Sequence, residues 1–148
     1  LSSTGYGVIE LKNRQTRALG YGAIKPPASL DFFGRLKSIR EGLLEVIEEF
    51  EPREMAVEDV FYHRNARAAL SLGHARGVAI VAGLEGGLDA YQYTALQVKK
   101  AIVGYGLADK QQVQKMLKTL LSLEEMPRPD DASDALAIAL THCFWRSL

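Results

Sequence analysis

Cysteine is almost missing: Cys143 is alone in 148 residues, which excludes an internal disulfide. No apolar run approaches the ~18 residues that cross a bilayer, and no charged start followed by an apolar stretch marks an export signal. With neither a disulfide framework nor an export signal, the expected compartment is the cytoplasm and no membrane partner is expected. Net charge is absent too, 18 basic residues against 18 acidic ones. That balance excludes a binder of polyanions over its whole surface while leaving room for a local basic patch. No G-x-G-x-x-G or Walker pattern occurs, so the glycines near the start do not form a recognised phosphate loop. Histidine is scarce: His63, His74 and His142 have no spacing that makes a metal triad, and surface or packing roles are expected for them. The chain opens at Leu1 without a methionine and enters a Gly-rich strand at once, so we expect a fragment of a longer chain.

What is present is a composition that is 47% hydrophobic and 24% charged, enough at this length for one domain, 1–148, with its own core. Acidic residues gather at Glu45 to Glu54 and at Glu124 to Asp134, and basic ones at Arg64 to Arg76 and Lys99 to Lys118. Such segregation allows one basic face.

In order, the pattern predicts a hairpin of two strands, Ser2 to Leu11 and Arg17 to Ile24, with a polar turn at Lys12 to Thr16. Gly5, Gly7, Gly20 and Gly22 suggest bulges or close backbone approach. A long amphipathic helix then runs to Phe50, with Ser29 as its expected N-cap and Pro52 as its stop. Met55 to Phe61 is a short, apolar and therefore central strand. A helix running to about Gly83 carries Gly73 and Gly77, whose spacing admits a second helix at close range, within the chain or across a dimer. Leu88 to Tyr93 is a strand, and Thr94 with Gln97 makes a capping box for the helix that follows. After Gly104-Tyr105-Gly106, Asp109 caps another helix, and the last, Ala/Leu-rich helix opens at Pro129-Asp130-Asp131-Ala132-Ser133-Asp134. Strands alternating with helices after a hairpin give an α/β sheet. Cys143, in an apolar helix pattern, is a core thiol.

Two places carry chemistry. Asp131 and Asp134, or Asp130 and Asp134, lie three or four apart and share one helix face. Such carboxylates suit a hard divalent cation, although Asp is also a favoured cap and first-turn residue. Glu58 is harder to dismiss, although a surface salt bridge on an edge strand is its plain alternative. It lies near the carboxyl end of a strand expected to be covered on both faces, where open α/β sheets bind ligands, and a buried charge needs a partner or a metal. Phe61 and Tyr62 beside Arg64 and Arg67 can stack on unpaired bases while the cations hold phosphates. Lys99, Lys100 and Lys110 surround the Gly-Tyr-Gly loop. Lys110 begins a helix, where the dipole gives lysine no reason to be, so a phosphate contact is expected of it.

Five stretches together resemble the RuvC family of Holliday-junction resolvases: Thr4-Gly5-Tyr6-Gly7-Val8-Ile9; Ala56-Val57-Glu58-Asp59-Val60-Phe61; Leu72-Gly73-His74-Ala75-Arg76-Gly77; Gln97-Val98-Lys99 through Val103-Gly104-Tyr105-Gly106; and Asp131-Ala132-Ser133-Asp134-Ala135-Leu136-Ala137-Ile138-Ala139. They span nearly the whole chain in the family's order. The resemblance implies a ribonuclease-H-like α/β fold, with a mixed sheet of about five strands flanked by helices on both faces. It implies a homodimer that cuts opposing strands of a four-way DNA junction in recombination and repair, with a RuvAB-type branch-migration complex as a candidate partner. Glu58, Asp131 and Asp134 match the family's second, third and fourth acidic residues. They would hold two Mg²⁺ ions, or Mn²⁺ in their place, ~3.5–4 Å apart. Lys110 would act in catalysis. Phe61 would stack on a splayed base, and Arg64, Arg67, Arg76, Lys99, Lys100 and Lys110 complete the expected DNA-contacting set. The helix bearing Gly73 and Gly77 matches the dimer interface. The family's first Asp, in Gly-Ile-Asp-Pro-Gly on a central strand, falls just before the position matched by Leu1. Its absence keeps two alternatives in view: a ribonuclease-H-like nuclease acting on RNA, and a junction-binding protein without catalysis.

Overall fold

A computed structural model of the chain describes residues 2–60 and 65–147. The elements run β1 (Thr4–Lys12), β2 (Gln15–Ile24), α1 (Phe32–Phe50), β3 (Glu54–Glu58), α2 (Ala66–Glu85), β4 (Asp89–Tyr93), α3 (Ala95–Ile102), α4 (Lys110–Leu120) and α5 (Asp130–Arg146). This is the predicted order of elements. The hairpin turn is tighter than expected. Only Asn13 and Arg14 lie outside the strands, both at positive φ (53° and 62°), the combination that matches strand twist in a two-residue hairpin. The register shifts between Val8 and Ile9, so the glycine-rich strand does carry a bulge. α1 starts later than expected. Leu30 N–H donates to the Pro27 carbonyl, making a turn there, and Asp31 rather than Ser29 caps the helix by accepting from the Gly34 amide at 2.8 Å.

β1 and β2 pair antiparallel, and β3 and β4 pair parallel, in two separate two-stranded ribbons. The expected five-stranded sheet is therefore not complete among the described residues. Between the ribbons lies a cleft of about 880 Å³, lined by β1 on one side and by Glu54 to Val57 on the other, with α1 and α5 contributing side chains. β3, expected to be central, pairs on one edge only among the described residues and borders this cleft on the other.

Strand alternation shows how the helices cover β3. Ala56 packs into the main core and Glu54 bonds to His142 of α5, whereas Met55 presses against Gly83 of α2. Even-numbered residues thus face α5 and Met55 faces α2, so this ribbon carries helices on both faces. The core gathers Tyr93, Val98, Ile102, Leu117, Leu121, Leu136, Ala137 and Leu140. Leu136 and Leu140 have no exposed surface, and truncating either to Ala removes about 2–5 kcal/mol. α5 reaches β1, β2, β3, β4, α3 and α4 and so sets the position of everything at its own two ends.

Candidate active site at the carboxyl end of β3

The start of α5 is placed by glycine. A Cβ on Gly5 would collide with the backbone carbonyl of Asp131, and one on Gly7 would lie 2.8–2.9 Å from Leu136. Only residues without side chains let β1 lie this close under the helix. Asp130, Asp131 and Asp134 are all exposed there. Of the alternative reading, the first-turn placement is seen and the side-chain cap is not. The N-cap position is Pro129, and no side chain makes a capping hydrogen bond. Asp130 and Asp131 occupy the first turn, where the helix dipole favours negative charge.

Glu58 closes β3. Being even-numbered it belongs to the face turned toward α5, which brings its carboxylate into the field of Asp134. The sequence pattern expects Glu58 to be buried. The structure leaves it exposed, because the strand ends at this residue. Both carboxyls are held above the usual range. For Glu58 the causes are partial burial and the Asp134 charge, eased by Lys110. For Asp134, burial raises the value, Lys110 opposes it, and Asp130 and Asp131 add repulsion. Lys110 Nζ lies 3.4 Å from Asp134 and 3.5 Å from Asp130. Burial works against its charge, but those two carboxylates prevail and its pKa is raised. Gln114 also donates to Asp130, at 3.2 Å. Lys110 is held in place by the Asp109–Gln112 capping box.

This donor set is hard and all oxygen. Among the described residues no three His, Cys, Asp or Glu side chains form a ready-made cage. Two facing carboxylates nevertheless fit an ion that takes one or two protein carboxylates and completes its shell with water and substrate phosphate. Burial is the first cause of both raised pKa values, and the carboxylate repulsion that adds to it is what a cation would relieve.

The other expected residues are distributed unevenly. Arg76 turns toward the protein: its Nε donates to the Glu58 carbonyl at 2.8 Å, it bonds to Gln92, and it approaches Asp59 at 4.0 Å. It thereby steadies the strand end that carries Glu58, a role that spacing alone did not reveal. Lys99 and Lys100 lie in the last turn of α3, and Lys100 is exposed, as is Arg67 at the start of α2. Gly104 takes φ +100°, and Gln112 donates to the Tyr105 hydroxyl at 2.6 Å, so the Gly-Tyr-Gly loop is tied to α4. Phe61 and Arg64 lie outside the described residues. Gly73 and Gly77 have nothing within 4 Å of a would-be Cβ. Cys143 is buried, and burial pushes its thiol up to about 11, in keeping with a core thiol.

The other end of β3 holds a polar cluster that no sequence motif announces. The Tyr93 hydroxyl lies 2.7 Å from His142 Nδ1, and His142 Nε2 lies 3.1 Å from Glu54 Oε1. Arg146 reaches Glu54 Oε2 at 3.1 Å. Burial alone would raise the Glu54 carboxyl, but the hydrogen bonds and charges of His142 and Arg146 outweigh it and leave its pKa below the usual range. Burial raises the Tyr93 hydroxyl. The available signal was a Tyr and a His at positions the apolar pattern buries, since buried polar tips need partners.

Comparison with known proteins agrees with this geometry. The family model described as crossover junction endodeoxyribonuclease RuvC matches residues 1–142. The crossover junction endodeoxyribonuclease RuvC of Desulforamulus reducens is 48% identical over 144 residues, covering 97% of this chain and 88% of that protein. Its counterpart in Pelobacter propionicus is 56% identical over 139 residues, covering 94% of this chain and 78% of that protein. The solved Thermus thermophilus RuvC structure superposes with a TM-score of 0.89 at 36% identity, covering 99% of this chain and 90% of that one. The same protein solved in complex with a Holliday junction substrate gives 0.88 at 34% identity, covering 99% and 89%. The ribonuclease-H-like α/β class expected from the sequence is thus the observed one, with fewer strands. A match along nearly the whole length, joined to facing carboxylates at a strand end and a helix start, establishes that the chain belongs to the RuvC family of crossover junction endodeoxyribonucleases, metal-dependent nucleases.

Proposed function

We propose that this chain, as one domain, resolves four-way DNA junctions by Mg²⁺-dependent hydrolysis of one phosphodiester in each of two opposing strands. The observation that supports it most directly is the meeting of Glu58 and Asp134 at the end of β3, two exposed carboxyls both raised, first by partial burial and then by neighbouring carboxylates: Asp134 beside Glu58, and Asp130 and Asp131 beside Asp134. Glu58 and Asp134, with Asp131 one turn earlier on α5, would hold the metal, and Mn²⁺ would serve in place of Mg²⁺. Bound divalent ions supply the Lewis acidity that activates water and steadies the leaving oxygen in such a hydrolysis. The protein's own part is to place the strand. Lys110, at the edge of the carboxylate cluster, offers its ammonium to the phosphate where negative charge develops. Lys99, Lys100 and Arg67 supply backbone contacts that position the DNA without reading its sequence. Arg76 keeps the end of β3 in register, and a DNA contact from it would use donors left over from that duty.

Two cuts need two sites. Leu70, Gly73, Gly77, Val81 and Leu84 fall on one face of α2 by helical spacing, and all are exposed. Such an apolar stripe with small residues at its centre suits a second copy of the same helix, and a two-fold dimer matches a junction of similar symmetry. A branch-migration complex of the RuvAB type would deliver the junction, and the cytoplasm is the compartment where both are met. Among the described residues no helix is long and apolar enough to cross a membrane.

A synthetic four-way junction labelled on each strand tests the proposal. Symmetric nicks in Mg²⁺, none in EDTA, and binding without nicking by Glu58→Gln are expected. Cleavage of an RNA–DNA hybrid in preference to the junction, or nicking that survives Glu58→Gln, would overturn it.

A further inference from the structure

Tyr93 and His142 are buried, at 8% and 7% exposure, and neither belongs to the carboxylate site. Tyr93 pairs in register with Glu58 across the β3–β4 ribbon, and its carbonyl accepts from the Asp59 amide at 2.8 Å. The backbone of Tyr93 therefore holds the strand end that carries Glu58. Its side chain reaches the other way, to His142 on the helix that carries Asp131 and Asp134. The ionised Glu54 carboxylate can only accept, so His142 Nε2 donates to it, and Nδ1 lies within hydrogen-bond range of the Tyr93 hydroxyl, so both ring nitrogens are engaged. Tyr91 stacks on the same imidazole, ring centroids 4.5 Å apart.

We propose that Tyr93 and His142 are positioning residues for the metal-binding carboxylates, fixing the rotation and height of α5 against the strand end that bears Glu58. This inference rests on the metal-dependent nuclease reading. At ~100° per residue, His142 lies on nearly the same face of α5 as Asp131, eleven residues earlier, and about 12 Å beyond Asp134 along the axis. Turning the helix by about 10° moves a side-chain tip 5–6 Å from the axis by roughly 1 Å. A ligand set tolerates only about 0.5 Å. Apolar packing sets depth well and rotation poorly, because it is non-directional. A short, buried, directional bond sets rotation.

The test is Mn²⁺ binding by calorimetry to the full-length protein without DNA, beside junction binding in EDTA and thermal melting. Tyr93→Phe, which removes one oxygen, should weaken Mn²⁺ binding on the order of tenfold, the range of lost outer-shell partners. It should leave junction affinity in EDTA unchanged, and nicking should recover at high Mn²⁺. Thr141→Val is the control for stability alone. Thr141 is fully buried on the same helix and, among the described residues, its hydroxyl bonds to the Ala137 carbonyl, so its loss should lower the melting temperature and spare Mn²⁺ affinity. Should Tyr93→Phe not fold, His142→Gln, which cannot bridge both Tyr93 and Glu54, carries the same expectation. Wild-type affinity for Mn²⁺ in whichever variant folds, or equal weakening by Thr141→Val, overturns the proposal. A wild-type protein that neither binds Mn²⁺ nor nicks junctions overturns the nuclease reading, and this inference with it.

Discussion

Glu54 and Glu58 sit four residues apart on one strand, on the same face, under the same helix, and their carboxyls are pushed in opposite directions. Glu54 meets His142 and Arg146, and Tyr91 donates to it at 3.4 Å. Glu58 meets another carboxylate. One end of β3 thus satisfies its charge within the protein, while the other keeps charge unsatisfied and in reach of solvent. Strand geometry is common to both. What differs is the stretch of α5 overhead: Thr141 to Arg146 at one end, Asp130 to Asp134 at the other. The contrast separates a carboxylate that holds the fold from one that, under the proposed function, is left for a cation.

The largest expected effect lies in cleavage. Asp134→Asn should reduce junction nicking on the order of 10³-fold, comparable to removing a principal electrostatic contributor. Glu54→Ala, equally a lost carboxylate under α5, should cost far less once the protein is folded. Rates measured with saturating junction and Mg²⁺ compare the two directly. Similar losses from both would erase the distinction between the ends of the strand.

Stability should rank them the other way. Glu54→Ala leaves His142 and Tyr91 without a partner they now have, and an orphaned buried polar group costs about 1–3 kcal/mol. Urea melts in EDTA should show that loss for Glu54→Ala and none for Asp134→Asn. A loss of comparable size is expected from Gly5→Ala, on the order of 1–3 kcal/mol and only partly offset by a stiffer unfolded chain. Here the added methyl meets the Asp131 backbone, so nicking should fall with stability.

The order of elements was legible because period-two and period-3.6 apolar patterns alternate cleanly along the chain. The capping box expected at Thr94 forms, and Asp109 caps its helix as expected, with Gln112 completing a second box beyond the one expected. The start of α1 was misplaced by two residues, since Ser29 and Asp31 are both good caps and only the turn at Pro27 decides between them. Glu58, Asp134 and Lys110 were legible as a group from a family resemblance and from Lys110 sitting at the wrong helix end for its charge. The exposure of Glu58 was not, because apolar neighbours along a strand do not reveal where pairing stops. Arg76 is expected among the DNA-contacting residues, yet its guanidinium bonds the Glu58 carbonyl, a contact spanning 18 residues in sequence. The Tyr93–His142–Glu54 chain joins three elements far apart in sequence, and no local pattern announces it.

The smallest effect concerns pH, and its sign distinguishes the two carboxylates most cleanly. Glu54 has a folded-state pKa below its unfolded value, so it contributes stability above the ordinary carboxylate range and loses it as pH falls through the lowered value. Glu58 and Asp134 have raised folded-state values. As pH climbs past their unfolded values the unfolded chain ionises first, and stability falls until the raised values are passed. In EDTA, Asp134→Asn should therefore raise the melting temperature at about pH 7.5 and leave it unchanged at about pH 3, below both states' titration. The gain should be no more than a few degrees, because both carboxyls keep contact with water, which screens their repulsion. Adding Mg²⁺ at the higher pH should stabilise the wild type and narrow or reverse the difference, since a cation relieves in the wild type the repulsion that the substitution removes. A melting temperature for Asp134→Asn that stays below wild type at every pH would show that Lys110 outweighs the neighbouring carboxylates, and that this end of the strand is stabilised much as the Glu54 end is.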